Sequence, residues 1–192
     1  LSDILKVMNK HSNNFLADTL FKTSALKWKE KDIPLREAGE KLYVDSIEKW
    51  MRENGTPELA KELNFVDGSG LSCKNSVTPS AFMAVLKVFT KKPWFQSLLN
   101  SLPIAGVDGT LARRMRGTAA QGLIRAKTGT LRGSYQLVGY APRFKEGTKE
   151  VEEYVPFVIL TATTPGNMAR VKAFQGRIGA HIVKMINKKT KS

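Results

Sequence analysis

Leu123-Ile124-Arg125-Ala126-Lys127-Thr128, a segment from Gly129 to Gly133, and Ser134-Tyr135-Gln136-Leu137-Val138-Gly139-Tyr140-Ala141 decide the fold class. Two short runs rich in aliphatic and aromatic residues, with a glycine-bounded connection between them, predict neighbouring strands at 123–128 and 134–141. Val155-Pro156-Phe157-Val158-Ile159-Leu160-Thr161-Ala162 predicts a third strand, reached through a charged hairpin at 143–153. Strands joined by such short connections run antiparallel. Beyond them, apolar residues return at helical spacing over 166–187, and Met168, Val171, Phe174, Ile178 and Ile182 are expected to face inward. The lysine-rich tail after Asn187 is expected to fray.

Upstream of the strands the signals are helical. Ile4, Leu5 and Met8, then Phe15, Leu16, Leu20 and Phe21, recur at three-to-four spacing, with a break near Asn9 to Asn14 that exposes residues 11–14. Leu35, Ala38, Leu42, Ile47, Trp50 and Met51 mark one face of a longer helix that ends at Asn54-Gly55. Asp67-Gly68-Ser69-Gly70-Leu71-Ser72 reads as a tight loop. Thr78-Pro79 reads as a cap followed by proline at the first helical position, opening a helix that carries Phe82, Val85, Leu86 and Phe89. Residues 101–122 are glycine-rich and mostly irregular. Helices, three neighbouring strands and a closing helix describe an α+β protein with an antiparallel sheet.

The 192 residues, 42% of them apolar, suffice for a sizeable core; one compact domain is the default expectation and two small ones the alternative. Lys and Arg number 31 against 17 Asp and Glu, a formal charge of +14 that attracts polyanions of any kind. A single cysteine, Cys73, excludes an internal disulfide framework, and two histidines make a zinc centre a poor reading. No apolar run approaches the roughly 20 residues that span a bilayer. The chain opens on Leu1 rather than methionine, so the start of the gene product is expected elsewhere.

Two short signals stand far apart: Ser12-Asn13-Asn14 at a helix junction and Lys127-Thr128-Gly129-Thr130 at a strand end. In order with Asp67-Gly68-Ser69-Gly70-Leu71-Ser72, Leu102-Pro103-Ile104-Ala105-Gly106-Val107-Asp108-Gly109-Thr110-Leu111 and Arg125 to Leu131, the chain resembles the low-molecular-mass class C penicillin-binding proteins. These are D-alanyl-D-alanine carboxypeptidases and endopeptidases of bacterial peptidoglycan. The resemblance runs from about residue 5 to 185 and implies the penicillin-recognising serine-enzyme fold, an antiparallel sheet with helices on both faces. All of 1–192 is then the C-terminal portion of the transpeptidase-like catalytic domain, with 1–122 its mainly helical part and 123–187 its last three strands and closing helix.

The same resemblance assigns roles. Ser12 passes a proton to the leaving D-alanine, and Asn14 bonds a substrate carbonyl and orients the catalytic lysine. Lys127 supplies positive charge and holds Ser12. Thr128 and Thr130 offer hydroxyls to the terminal carboxylate, Gly129 leaves room for substrate along the strand edge, and the Thr130 N–H completes the oxyanion hole. Peptidoglycan stem peptides are the implied substrates and β-lactams the implied inhibitors, with no metal or organic cofactor and a periplasmic or extracellular location.

The family's S-x-x-K nucleophile comes before S-x-N, and only residues 1–11 precede Ser12. Ser24-Ala25-Leu26-Lys27 and Ser46-Ile47-Glu48-Lys49 fit the pattern but are read as chance, Ser24 lying about 15 Å along a helix from Asn14 at 1.5 Å per residue. The nucleophile is therefore expected on the missing N-terminal part of the same protein.

Each residue also has a plainer reading. Ser12 and Asn14 alone are common helix-cap residues. Asp67, Ser69, Asp108 and Thr110 are read as structural, His11 as a neighbour that cannot face Ser12, and His181 as packing or surface. Arg113, Arg114, Arg116, Arg125 and Arg132 form a potential polyanion footprint, but no nucleic-acid motif accompanies them and nucleic acid is not expected as a partner. Two other classes stand beside the enzyme: a non-catalytic peptidoglycan-binding relative or fragment, and a basic nucleic-acid-binding domain whose affinity would fall steeply with salt.

Overall fold

A computed structural model describes residues 1–28, 33–131, 133–164 and 166–188. The elements in chain order are α1 (Ser2–His11), α2 (Asn14–Trp28), α3 (Leu35–Glu53), β1 (Leu63–Asn64), β2 (Ser76–Val77), α4 (Pro79–Thr90), α5 (Phe95–Ser101), β3 (Arg125–Leu131), β4 (Ser134–Phe144), β5 (Val151–Ala162) and α6 (Met168–Ile186). Two compact units emerge, one made of Leu1–Ser12 with Trp94–Ser192, the other of Asn13–Pro93. The change of composition at 122/123 thus separates helical from strand sequence but not compact units. The reason is that α1 and the segment after Pro93 belong with the sheet, tied by Asn9 Nδ2 to Ser101 Oγ at 2.7 Å and by Lys10 to Asp108. The end of the lysine-rich tail and Arg132 lie outside the described residues.

In the first unit, β3, β4 and β5 form an antiparallel sheet in that order, with Lys127 opposite Val138, Gly129 opposite Gln136, Leu137 opposite Ile159 and Gly139 opposite Phe157. Side chains alternate between faces along each strand. One face sends Ala126, Leu137, Ala141 and Phe157 into a core with Leu111, Met115, Ile124 and Val183 of α6. Full burial of a side chain such as Leu137 or Phe157 contributes about 1.5–3 kcal/mol. On the other face the Phe95 ring of α5 meets Tyr140 edge-on at 5.0 Å and Tyr154 at 6.1 Å. Helices therefore cover both faces. Gly139 has no alternative at its position: a Cβ there would lie 2.5 Å from Ala126 Cα and collide with the Arg125 carbonyl.

Three sequence-based expectations need correction. β3 starts at Arg125, after Leu123 and Ile124, and runs through Leu131, so Gly129 to Leu131 are strand rather than connection, because Gly129, Thr130 and Leu131 pair with Gln136, Tyr135 and Ser134. The charged hairpin at 143–153 is shorter than expected, since β4 and β5 extend into it and leave only 145–150 as connection. On α6, Met168 and Phe174 are exposed, and the buried line is Val171, Gln175, Gly179 and Val183. Apolar content misleads there because the close approach needs Gly179, where a Cβ would lie 3.0 Å from Ile124. Gln175 is buried because its amide donates to the Tyr135 carbonyl at 3.1 Å and to Thr161 Oγ1 at 3.3 Å.

The second unit is helical. Ile47, Met51, Leu63, Ala81 and Val85 form its core, and Gly39 of α3 lets the Phe21 ring of α2 approach the backbone. Thr78 caps α4 by accepting from the Ala81 N–H at 3.2 Å, ahead of Pro79. The loop after β1 is held by Asp67, whose carboxylate accepts from the Gly70 and Ser72 N–H groups at 2.5 and 2.8 Å. Among the described residues no helix is long and apolar enough to cross a membrane.

Candidate active site

The site in the first unit starts with the way α1 ends. Its helix continues to His11, inside the break expected from Asn9 to Asn14, and closes with Ser12 in the left-handed region (φ 54, ψ 51), its N–H bonded back to the Met8 carbonyl. A non-glycine residue in that region carries a backbone cost and persists where its surroundings fix it. Those surroundings are specific. The Lys10 ammonium, nearly enclosed, donates to the Leu102 carbonyl at 2.5 Å and to both oxygens of Asp108 at 2.8 and 2.7 Å. Asp108 also accepts from the Ile104 N–H at 2.8 Å, and Gly109, with φ +56, lies so close that a Cβ would be 2.7 Å from the Lys10 carbonyl oxygen. The last turn of α1 is thereby seated on the 102–110 loop.

That seat brings Ser12 to the sheet. Lys127 Nζ donates to Ser12 Oγ at 2.6 Å and to the Thr128 carbonyl at 2.7 Å. Burial pushes the Lys127 pKa below the usual lysine value. Because Ser12 Oγ accepts from the ammonium, its own hydrogen is directed elsewhere and can be donated to a third group. Beside them, Thr128 Oγ1 donates to Thr110 Oγ1 at 2.9 Å.

β3 offers an open edge as well. Ala126 donates its N–H to the Pro103 carbonyl at 3.0 Å, away from β4, so its backbone polar groups point outward. By the alternation of an antiparallel ladder, those of Thr128 and Thr130 point the same way. The Thr128 carbonyl is taken by Lys127, while the Thr130 N–H is directed off the edge. Gly129 stands opposite Gln136, whose side-chain oxygen occupies the place a Cβ would take.

The structure thus brings Ser12, Lys127 and Thr128 together and puts Gly129 and Thr130 on the same strand. Asn14 opens α2 in the second unit, two residues further along the chain, with an exposed side chain. The N-terminal cap of α2 is neither Ser12 nor Asn14 but Asn13, whose Oδ1 accepts from the Leu16 N–H at 3.0 Å, while Ser12 closes α1 through its backbone. Ser24 and Ser46 lie within α2 and α3. Lys10 carried no sequence signal beyond its position before Ser12, and Thr110 was read as structural.

The family model described as the D-Ala-D-Ala carboxypeptidase 3 (S13) family matches residues 1–173. The chain belongs to that family. Among curated S13-like relatives, D-alanyl-D-alanine carboxypeptidase of Actinomadura sp. (strain R39) is 39% identical over 153 residues, covering 74% of this chain and 26% of that protein. D-alanyl-D-alanine carboxypeptidase DacB of Haemophilus influenzae is 36% identical over 143 residues, 73% of this chain and 28% of that protein. The chain therefore spans about a quarter of the length of these relatives. Penicillin binding protein 4 (dacB) from Haemophilus influenzae superposes with a TM-score of 0.71 at 29% identity, covering 94% of this chain and 39% of that one. The fold is that of the penicillin-binding proteins of the S13 family, with the α+β layout expected from the sequence.

Proposed function

We propose that this chain carries part of the active site of a serine-type D-alanyl-D-alanine carboxypeptidase or endopeptidase, acting on peptidoglycan stem peptides through an acyl-enzyme. The observation that carries the reading is the 2.6 Å bond from Lys127 Nζ to Ser12 Oγ, made by a lysine whose pKa burial lowers. Such a pair suits acyl transfer. When the amide breaks, the leaving amine takes a proton, and Ser12 Oγ–H supplies it while Lys127 returns one to Ser12. The positive charge near the β3 edge favours a substrate carboxylate, with the Thr128 and Thr130 hydroxyls as direct ligands.

Substrate lies antiparallel along the outer edge of β3, where Gly129 avoids crowding it. The outward Thr130 N–H donates to the developing oxyanion, an interaction typically worth about 10²–10³ in rate. Asn14 bonds a substrate carbonyl and orients the catalytic lysine. β-Lactams enter this site as substrate mimics; the Haemophilus influenzae protein has been solved in complex with a β-lactam. No cofactor is required by this chemistry. Substrates of this class place the protein in the periplasm or outside the cell.

The nucleophilic serine and its lysine lie on a further segment of the same protein. Neither internal match fits the task. A nucleophile whose own N–H serves the oxyanion needs that N–H outside the intrahelical ladder, which leaves only the first turn of a helix. Ser24 and Ser46 fall well beyond the first turns of Asn14–Trp28 and Leu35–Glu53, so their N–H groups are engaged.

The test is intact-mass analysis of the native protein after exposure to benzylpenicillin, followed by peptide mapping. One acyl adduct outside residues 1–192 supports the reading. An adduct on Ser24 or Ser46 overturns the placement of the nucleophile, and no adduct overturns serine acyl transfer.

A further inference from the structure

The arginines left over from the catalytic reading gather elsewhere. Arg113, Arg114 and Arg116, on the loop after Leu111, face Lys172, Arg177 and Lys184 of α6 across a cavity of about 660 Å³. No carboxylate is among the described residues that line it. The cavity exists because the helix presents small residues to it, Ala173, Gly176 and Ala180. It lies on the Leu137–Phe157 side of the sheet, which α6 covers, whereas Lys127 pairs with Val138 on the opposite side.

Arg114 shows what the cavity lacks. One guanidinium nitrogen donates to Gln175 Oε1 at 3.0 Å and to the Lys172 carbonyl at 3.3 Å, so the group is fixed by neutral oxygens with no carboxylate among them. Its Nε is buried without a hydrogen-bond partner among the described residues. A guanidinium so placed is held in position but not neutralised, and five more cations surround it. Like charges brought together raise the potential of a cleft and concentrate anions in it. From Lys172 to Lys184 the helix edge of the cavity runs about 18 Å at 1.5 Å per residue, long enough for several successive anionic groups.

From this geometry we infer a second ligand site: the groove between the 113–118 loop and α6 binds a linear, phosphate-rich polymer through its phosphates alone. Guanidinium groups match phosphate oxygens in paired hydrogen bonds, and three of the six cations on the loop side and helix edge are arginines from one short segment. Nucleic acid is the less suited polymer, because binding of single strands relies on aromatic platforms for the bases, and the described residues lining the groove include no Phe, Tyr or Trp and a single ring, the His181 imidazole. The site recognises a chain of phosphates without bases. It stands apart from the catalytic reading and does not depend on it.

The test uses the 192-residue chain and inorganic polyphosphate of several tens of phosphates, with affinity measured calorimetrically between about 50 and 200 mM salt. Binding with a steep negative dependence on salt is expected. Arg113→Gln/Arg177→Gln should weaken it about tenfold or more and lower the magnitude of the log–log salt slope by about 1–2. Lys22→Gln/Lys49→Gln, which removes equal charge from exposed positions in the other unit, should change affinity by less than about threefold. Absence of binding, equal weakening by both pairs, or tighter binding of a single-stranded oligonucleotide of equal phosphate number would each overturn the proposal.

Discussion

Removing the Asp108 carboxylate should damage the first unit more than removing the Lys10 ammonium, although the two form one ion pair. The Lys10 side chain is 9% exposed and the Asp108 side chain 39%. In Asp108→Ala the enclosed ammonium keeps only the Leu102 carbonyl, and the Ile104 N–H loses its acceptor. Breaking a fully buried pair from one side costs about 3–5 kcal/mol. Because water reaches this carboxylate, the loss here should be smaller, about 2–3 kcal/mol. In Lys10→Met the unbranched side chain fills the same space and Asp108 stays hydrated and bonded to Ile104, leaving chiefly the Leu102 carbonyl without its donor, a loss of about 1–1.5 kcal/mol. For a chain of this size 1 kcal/mol moves the thermal midpoint by about 2–4 °C, so Asp108→Ala should lower it by roughly 4–12 °C and Lys10→Met by roughly 2–6 °C. Near-UV circular dichroism would follow the transition, and amide exchange at Ser12, whose N–H bonds the Met8 carbonyl, should quicken in both variants. A Lys10→Met variant at least as destabilised as Asp108→Ala, or exchange at Ser12 unchanged in both, would refute the view that this pair seats the end of α1.

Three further expectations follow from the sheet and its lysine. Gly139→Ala should destabilise by about 1–3 kcal/mol or more in urea titrations, since the new methyl meets backbone, whereas Gly129→Ala should cost less than about 1 kcal/mol because the mobile end of Gln136 can move aside. Gln175→Leu should cost about 2–3 kcal/mol by leaving the buried Arg114 short of its acceptor, and Gln175→Glu should recover part of that loss. Lys127 should titrate below the usual lysine value in carbon-13 NMR of its side-chain methylenes; an ordinary lysine titration would contradict its burial. Because its folded pKa lies below the unfolded value, the unfolded chain binds more protons between the two, so stability should rise with pH across that window, and Lys127→Met should flatten the rise.

How much of this was legible in the sequence depends on the kind of signal. The three strands and the final helix are written in hydrophobic runs and turn residues, and the Thr78-Pro79 start and Asn54-Gly55 stop are local chemistry that tertiary contacts did not override. The inward face of α6 was misread because a helix packed close against the Ile124 and Met115 side chains needs Gly179, and a buried amide such as Gln175 looks polar until its partners are known. The pattern ends the strand at Thr128 and leaves Gly129 to the connection, because glycine is ambiguous between a bend and a strand position that needs open space, although the motif itself sets Gly129 at a strand edge. Ser12 and Lys127, 115 residues apart, were connected through motif order alone; their 2.6 Å contact rests on the left-handed end of α1 and on a buried Lys10, which no periodicity reveals.

The most direct measurement is the second-order rate of acylation of the native protein by benzylpenicillin, compared with its Lys127→Met variant. Methionine keeps the volume of the stem and removes the donor to Ser12. A fall of about 10² or more, with the fold intact, is the expected result, in keeping with loss of a charge and donor aimed at the reacting group. A rate within about threefold of the parent would contradict the account, because the Lys127–Ser12 bond would then be a structural contact with no part in acyl transfer.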